Sequence, residues 1–244
     1  MKLLLFDVDG TLVLTGGAGV RAMSRAFEAV FGIPSAFRGV PMAGRTDPAI
    51  LSDALATFSI EPSAEHLADF TAAYLALLQE EIDSPVPTPA GGTSRRWFKG
   101  ALPGVSELIG RLTVIDSVFL GLLTGNYRDG ARIKLAYFDL WRHFRCGAYG
   151  GDASLRHELV PVAIARAAAA GCPVVGLSDV IIIGDTPLDV DAARKAGVNC
   201  VAVATGGFDQ AALRAAGADI VFENLLDADA VVGALTPQGQ PLPE

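Results

Sequence analysis

Short runs of residues that are apolar on both faces recur along the chain, and the first spans Leu3 to Phe6. A run without polar alternation is typical of a strand inside a parallel sheet, because helices cover both faces of such a sheet. The pattern therefore predicts a buried strand near the N-terminus and more strands further along. These are predicted at residues 117–123, 146–149, 180–183, 200–204 and 220–222.

Segments with the helical spacing of apolar residues alternate with these strands from residue 97 onwards. Strands that alternate with helices pair in parallel, and the helices pack on the two faces of the sheet. We therefore predict an α/β fold with a Rossmann-like parallel sheet. Its helices are predicted at residues 103–112, 128–138, 159–170, 187–196 and 210–216.

Between the first strand and this alternation, helices are predicted in succession with no strand between them. The apolar stripe of the first includes Val20, and that of the third includes Leu67. Asp47 is the expected N-cap of the second helix, with Pro48 at its first helical position. A block of helices without strands indicates a helical insert within the α/β core.

The expected domain boundaries follow from this change of pattern. We expect the core to comprise residues 1–14 and 97–235, and the helical insert to comprise residues 15–96. Pro and Gly are dense from residue 84 to the end of the insert, which predicts an irregular connection. The last residues, 236–244, are expected to form a frayed tail.

The composition is that of a globular protein, since 51% of the residues are apolar and 19% are charged. A net charge of −8 argues against a nucleic-acid partner, which would require an excess of Lys and Arg. No stretch approaches the about 20 apolar residues of a membrane span, and the N-terminal run is too short for a signal peptide. Cys146, Cys172 and Cys200 lack metal-site spacing and are expected to be free thiols in the cytoplasm. The oligomeric state is left open.

Polar side chains follow three of the predicted strands. Asp7 and Asp9 follow the first strand, and Thr124 and Asp185 follow the strands that end near residues 123 and 183. Because open α/β sheets bind ligands at the carboxyl ends of their strands, we expect these side chains at one edge. Carboxylates are hard oxygen ligands, and a cluster of them suits Mg²⁺ together with a phosphate substrate.

These three positions also carry recognisable motifs. The sequence DVDGT at residues 7–11 resembles motif I of the haloacid dehalogenase (HAD) superfamily, whose members use an aspartate nucleophile on phosphate esters. LLTGN at residues 122–126 resembles motif II, and GDTPLD at residues 184–189 resembles motif IV. The resemblance implies a HAD-like core with a helical cap inserted after the first strand, and it covers the whole chain.

The chemistry of the residues and the resemblance together suggest a role for each. Asp7 is the expected nucleophile, and Asp9 the acid and base that serves the leaving oxygen and then water. The expected phosphate-binding groups are Thr124, Gly125 and Asn126. The expected Mg²⁺ ligands are Asp7, Asp9 through its backbone carbonyl, Asp185 and Asp189.

The superfamily also uses a basic residue ahead of the helix that precedes motif IV, commonly a lysine followed by proline. This chain has no lysine there, and Arg156 is the expected replacement, because arginine is a permanent cation that matches phosphate geometry. His157 and Lys134 are the alternatives. In the insert, Arg45 is the candidate substrate contact.

The expected function is a Mg²⁺-dependent phosphatase that acts on a small phosphorylated metabolite. The GRTD sequence at residues 44–47 resembles the phosphoglycolate phosphatase-like branch, and a sugar phosphate is the other expected substrate. A phosphosugar mutase would use the same residues. A non-enzymatic phospho-acceptor module also combines Asp, Thr and a basic residue on a parallel sheet, but it lacks a helical insert. A dehalogenase would not need the acid/base carboxylate of Asp9.

Overall fold

The computed structural model describes residues 1–86, 97–173 and 176–236. Six strands form a parallel sheet in the order β5–β4–β1–β6–β7–β8. The predicted α/β fold is therefore confirmed. The strands are β1 (Lys2–Phe6), β4 (Val118–Leu123), β5 (Cys146–Ala148), β6 (Val180–Gly184), β7 (Asn199–Val203) and β8 (Ile220–Phe222).

Alternate residues of β1 point to opposite faces of the sheet and help to build two separate cores. Leu4 and Phe6 belong to one apolar cluster, and Leu3 and Leu5 belong to the other. All four side chains are fully buried, as expected for a central parallel strand that is covered on both faces. This burial fixes β1 at the middle of the sheet, with β4 on one side and β6 on the other.

Helices connect the strands of the core, and most of them begin and end at residues suited to that position. The helix after β6 has Thr186 as its N-cap, which accepts a hydrogen bond from the Asp189 N–H, and it ends at Gly197 in the left-handed conformation. The core helices are α4 (Val105–Leu112), α5 (Arg128–Tyr137), α6 (Leu159–Ala169), α7 (Pro187–Ala196), α8 (Gln210–Ala216) and α9 (Ala228–Leu235). The sequence patterns had not indicated α9.

The insert contains α1 (Ala18–Phe31), α2 (Asp47–Thr57) and α3 (Ala64–Asp83). A third apolar cluster lies among them, with Phe27 and Phe70 at its centre. The apolar stripes predicted for α1 and α3 are wrong at their first residues, because the side chains of Val20 and Leu67 are exposed.

The prediction that Asp47 is an N-cap is also wrong. Thr46 is the N-cap, since its side chain accepts a hydrogen bond from the Ala49 N–H, and Asp47 is the first helical residue. Asp47 is instead buried.

Two short strands that the sequence patterns did not indicate join the insert to the core. β2 (Val13–Thr15) and β3 (Lys99–Ala101) pair antiparallel, with Leu14 opposite Gly100. Residues 87–96 of the predicted irregular connection and residues 237–244 of the predicted tail lie outside the described residues.

Two expectations from composition can be compared with this fold. Cys146, Cys172 and Cys200 are free, as predicted. Within the described ranges, no helix has both the length and the apolar character that crossing a bilayer requires.

Candidate active site

Three neighbouring strands end at the same edge of the sheet and bring the predicted site residues together. Asp7 follows β1, Thr124 follows β4 and Asp185 follows β6. In the register of the sheet, Phe6 pairs with Leu122 on one side and with Ile183 on the other. The residues after these strands therefore emerge side by side, as expected from parallel topology.

Asp7, Asp185 and Asp189 form a buried cluster of carboxylates. Each offers one oxygen, and these oxygens lie within 4.8 Å of one another. Asp189 lies in the first turn of α7, where its carboxylate accepts hydrogen bonds from the Thr186 N–H at 3.1 Å and from its hydroxyl at 2.7 Å. The Thr11 hydroxyl donates to Asp185 at 3.0 Å.

Burial favours the protonated carboxyl groups of Asp7 and Asp185. Burial is the main cause that raises the pKa of Asp7 to about 6, against the opposing effect of Arg156. Burial and the neighbouring Asp7 hold the pKa of Asp185 well above its usual range. In both groups the loss of water around the carboxylate is the largest effect, and the neighbouring carboxylates add to it.

The cluster fits a divalent cation. Three buried carboxylates face one buried guanidinium, that of Arg156. A divalent cation would offset the remaining charge, and oxygen ligands are those that Mg²⁺ prefers. Asp7, Asp185 and Asp189 are therefore suited to hold Mg²⁺ as predicted, although their role as ligands stays a prediction.

Arg156 is the basic residue that lies against the cluster. Its guanidinium lies 3.0 Å from Asp7 Oδ1 and also contacts Asp189. It further donates to the Gly44 carbonyl of the insert at 3.1 Å. Arg156 therefore has the contacts expected of the residue that replaces the superfamily's lysine. Among the described residues, no hydrogen bond or ion pair joins the alternative candidate, His157, to the carboxylate cluster.

Lys134 occupies a different place, beside Asp9. Its Nζ atom, carried by α5, lies 2.6 Å from Asp9 Oδ2 and 2.6 Å from Asn126 Oδ1. The Asn126 amide donates to Asp9 Oδ2 and to the Thr124 hydroxyl oxygen, each at 2.8 Å. This network links Asp9 to the loop that follows β4. Two of the predicted phosphate-binding residues, Thr124 and Asn126, are thus held in position by neighbours within the site.

Arg45 does not contact these groups. Its guanidinium forms an ion pair with Asp53 of α2 and donates to the Pro41 carbonyl at 3.3 Å. Its backbone, in contrast, packs tightly against Gly125, because a Cβ atom on Gly125 would lie 2.1 Å from the Arg45 carbonyl oxygen. The next contact along this interface is a hydrogen bond of 2.7 Å from the Asp47 N–H to the Gly125 carbonyl.

Asp47 brings a further buried carboxyl group to the site from the insert. Its Oδ2 accepts a hydrogen bond of 2.8 Å from the Tyr127 N–H. Burial raises the pKa of Asp47 to about 7, and Lys134 opposes the shift. Asp47 was predicted as a helix cap and not as a site residue, and the GRTD sequence at residues 44–47 was the available signal for it.

A cavity of about 320 Å³ lies between the sheet edge and the insert. The core side of its wall includes Asp7, Asp9 and Asp185, and the insert side includes Met23, Met42, Ile50 and Tyr74. The cavity is large enough for a small metabolite, and its chemistry is polar at the sheet edge and more apolar at the insert.

Two neighbours of Asp185 were not among the predicted site residues. Thr11 belongs to the first motif, so its proximity could have been inferred from that motif. Gly206 follows β7, and a Cβ atom there would lie 1.6 Å from Asp185 Oδ2. The glycine pair at residues 206–207 after a predicted strand was the available signal for this close approach.

Comparison with known proteins agrees with this geometry. The family model described as HAD-hydrolase-like matches residues 158–228, a segment that includes Asp185 and Asp189. The chain therefore has a HAD-like fold. A search of curated proteins finds no significant match.

Solved HAD-like neighbours cover nearly the whole chain at low sequence identity. CbbY from Rhodobacter sphaeroides, solved in complex with phosphate, has a TM-score of 0.67 at 19% identity and covers 93% of this chain and 96% of its own. A predicted phosphoglycolate phosphatase from Haemophilus somnus has a TM-score of 0.66 at 18% identity, with 95% and 98% covered. A candidate β-phosphoglucomutase from Thermotoga maritima has a TM-score of 0.60 at 20% identity, with 97% and 100% covered.

Proposed function

We propose that the protein is a Mg²⁺-dependent phosphatase that hydrolyses a small phosphomonoester through an aspartyl-phosphate on Asp7. The observation that carries this proposal is the position of Asp7. Its carboxylate lies in the wall of the cavity, 3.0 Å from the Arg156 guanidinium and within the cluster that includes Asp185. This arrangement supports the proposal because it would place a nucleophile, a fixed cation and a bound metal ion beside the same phosphate group.

The Mg²⁺ ligands would be Asp7, Asp185 and Asp189, with the backbone carbonyl of Asp9. When bound, the ion would offset the negative charge of the phosphate and of the carboxylates, which otherwise repel each other. Arg156 adds a fixed positive charge on the same side, and the Thr124 hydroxyl and the backbone of the loop after β4 would bind phosphate oxygens.

The first step transfers the phosphoryl group to the protein. An oxygen of Asp7 forms a bond to phosphorus as the bond between phosphorus and the alcohol oxygen breaks. Asp9 donates a proton to that leaving oxygen, so the product is a neutral alcohol. Asp9 is suited to this task because it lines the cavity and its side chain is 41% exposed, within reach of a bound substrate.

The second step returns Asp7 to its initial state. A water molecule attacks phosphorus, the bond between phosphorus and the Asp7 oxygen breaks, and Asp9 takes the proton of the water. Lys134 and Asn126 position the Asp9 carboxylate through contacts of 2.6 and 2.8 Å. Asp9 acts as an acid in the first step and as a base in the second, so its carboxylate must be held within reach of both the leaving oxygen and the water.

A phosphosugar mutase is the second candidate function, and the similarity to a candidate β-phosphoglucomutase supports it. A mutase returns the phosphoryl group to a sugar hydroxyl, whereas a phosphatase transfers it to water. Turnover that requires a sugar bisphosphate primer would favour the mutase, and phosphate release without a primer favours the phosphatase.

The test measures phosphate release from p-nitrophenyl phosphate with Mg²⁺ and with EDTA. We expect activity that depends on Mg²⁺ and falls more than about 1000-fold in Asp7→Asn, since the nucleophile is lost. The matched control is Asp191→Asn, because Asp191 forms surface ion pairs with Arg194 and Lys195. Near-normal turnover by Asp7→Asn would reject the mechanism. An aspartyl-phosphate that persists for hours would instead indicate a phospho-acceptor module.

A further inference from the structure

Tyr74 of α3 carries a buried hydroxyl group that has no hydrogen-bond partner among the described residues. The residue lines the cavity. Its ring centroid lies 6.3 Å from that of Tyr127, whose backbone N–H donates to Asp47. Burial, and next the Asp47 and Asp9 carboxylates, raise the pKa of Tyr74. Burying a hydroxyl group without a hydrogen-bond partner is unfavourable, and we expect a partner that arrives with the substrate.

Asp47 supplies a hydrogen-bond acceptor in the same part of the cavity. Within the described ranges, the one hydrogen bond to its carboxyl group comes from the Tyr127 N–H and uses Oδ2. Its Oδ1 is therefore available to a second donor. A hydroxyl group both accepts and donates, so a single substrate hydroxyl can satisfy Tyr74 and Asp47 together.

The cations in the cavity wall are already paired, as far as the described residues go. Arg45 pairs with Asp53, Lys134 with Asp9, and Arg156 with Asp7 and Asp189. A second anionic group on the substrate would therefore compete with these carboxylates for a cation, and it would face Asp47 and Asp9. Leaving a buried charge unpaired is costly, so this half of the cavity disfavours a carboxylate.

We infer that the alcohol half of the substrate is uncharged and hydroxylated, and that one of its hydroxyl groups accepts from Tyr74 and donates to Asp47. This specificity rests on the proposed phosphatase function. Met23, Met42 and Ile50 of the same wall provide apolar contacts for the carbon chain. The substrate class is thus the phosphate esters of small polyols and neutral sugars, and phosphorylated carboxylic acids such as phosphoglycolate are poor substrates.

The test compares three esters with a three-carbon chain: glycerol 3-phosphate, 3-phosphoglycerate and propyl phosphate. In the second a carboxylate replaces the terminal CH₂OH group, and the third has no free hydroxyl. We expect kcat/KM for glycerol 3-phosphate to exceed both others by about tenfold or more, because a hydrogen-bonding site discriminates against a missing or charged partner.

Tyr74→Phe isolates the buried hydroxyl. Phenylalanine has the same shape without the unpaired group, so the variant is expected to fold. The preference for glycerol 3-phosphate over propyl phosphate should fall about tenfold, as expected for the loss of one hydrogen bond. Tyr137→Phe is the matched control, because Tyr137 is exposed on α5 and should leave the preference unchanged.

The outcomes separate this inference from the proposed function. Faster hydrolysis of 3-phosphoglycerate than of glycerol 3-phosphate, or an unchanged preference in Tyr74→Phe, would overturn the inference while the phosphatase activity stands. No phosphate release from p-nitrophenyl phosphate with Mg²⁺ would refute the proposed function itself.

Discussion

The buried carboxyl group of Asp47 gives a sharp prediction about stability. Burial raises its pKa from 3.8 to about 7, so the folded protein binds this proton more tightly than the unfolded chain does. For an acid with a raised pKa, stability falls as the pH rises from the unfolded pKa to the folded pKa, and it stays low above that. Asp47 therefore costs stability at neutral and alkaline pH.

The magnitude follows from the size of the shift. Each pH unit between the two pKa values changes the free energy of unfolding by about 1.4 kcal/mol. Asp47→Asn removes this titration. The amide oxygen of the variant can still accept the hydrogen bond that the Tyr127 N–H donates to Asp47 Oδ2 at 2.8 Å in the wild type. The difference in the free energy of unfolding between the variant and the wild type should therefore grow by about 3 kcal/mol from pH 5 to pH 8, because most of that interval lies below the folded pKa.

The assay is urea unfolding of both proteins at pH 5, 6, 7 and 8 in EDTA, so that no metal contributes. Taking the difference between the two proteins cancels the groups that they share. Asp53→Asn is the control, because pairing with Arg45 lowers the pKa of Asp53 below its ordinary value of 3.8. Its titration therefore lies below the pH range of the assay, and this variant should lose stability by an amount that does not change from pH 5 to pH 8. A difference for Asp47→Asn that is independent of pH, or that shrinks towards pH 8, would refute the reasoning.

Two further variants test the site. Arg156→Lys keeps the charge but loses the fork that contacts Asp7 and Asp189, so turnover of p-nitrophenyl phosphate should fall about 100-fold with an unchanged circular dichroism spectrum. Activity within threefold of the wild type would contradict this role. In Gly206→Ala, the new Cβ atom would meet Asp185 Oδ2 at 1.6 Å and displace the carboxylate. The Mg²⁺ concentration for half-maximal activity should rise about tenfold, whereas Gly207→Ala, which meets nothing within 4 Å, should leave it unchanged.

The core could be predicted from the sequence because its signals are local. β1, β4 and β6 are apolar on both faces, and α7 is bounded by Thr186 with Pro187 at one end and Gly197 at the other. Local signals of this kind need no knowledge of the tertiary structure. The strands β2 and β3, in contrast, have three residues each, and the insert separates them in the sequence. No local pattern therefore predicts their pairing.

The site could be predicted where it follows the motifs, and not where the insert contributes. Arg45 was predicted as a substrate contact, and that role stays a prediction. Its ion pair with Asp53, two turns into α2, was not predicted. Tyr74 belongs to the apolar stripe of α3, and nothing in that stripe marks its hydroxyl as unpaired. Asp47 was predicted as the cap although Thr46 takes that position, because Thr and Asp are both good capping residues and the helix start shifts by only one residue between the two alternatives.

The antiparallel pairing of β2 and β3 has a consequence for protein engineering. The two crossings between the sheet and the insert run side by side, and the Gly16 N–H donates to the Phe98 carbonyl at 2.8 Å just beyond the paired strands. Segments whose two ends lie this close are the ones that proteins exchange most readily. The segment between the two crossings is therefore a suitable unit for exchange, and a chimera that carries the corresponding segment of a relative is expected to retain the chemistry of the sheet edge while it acquires a new substrate range.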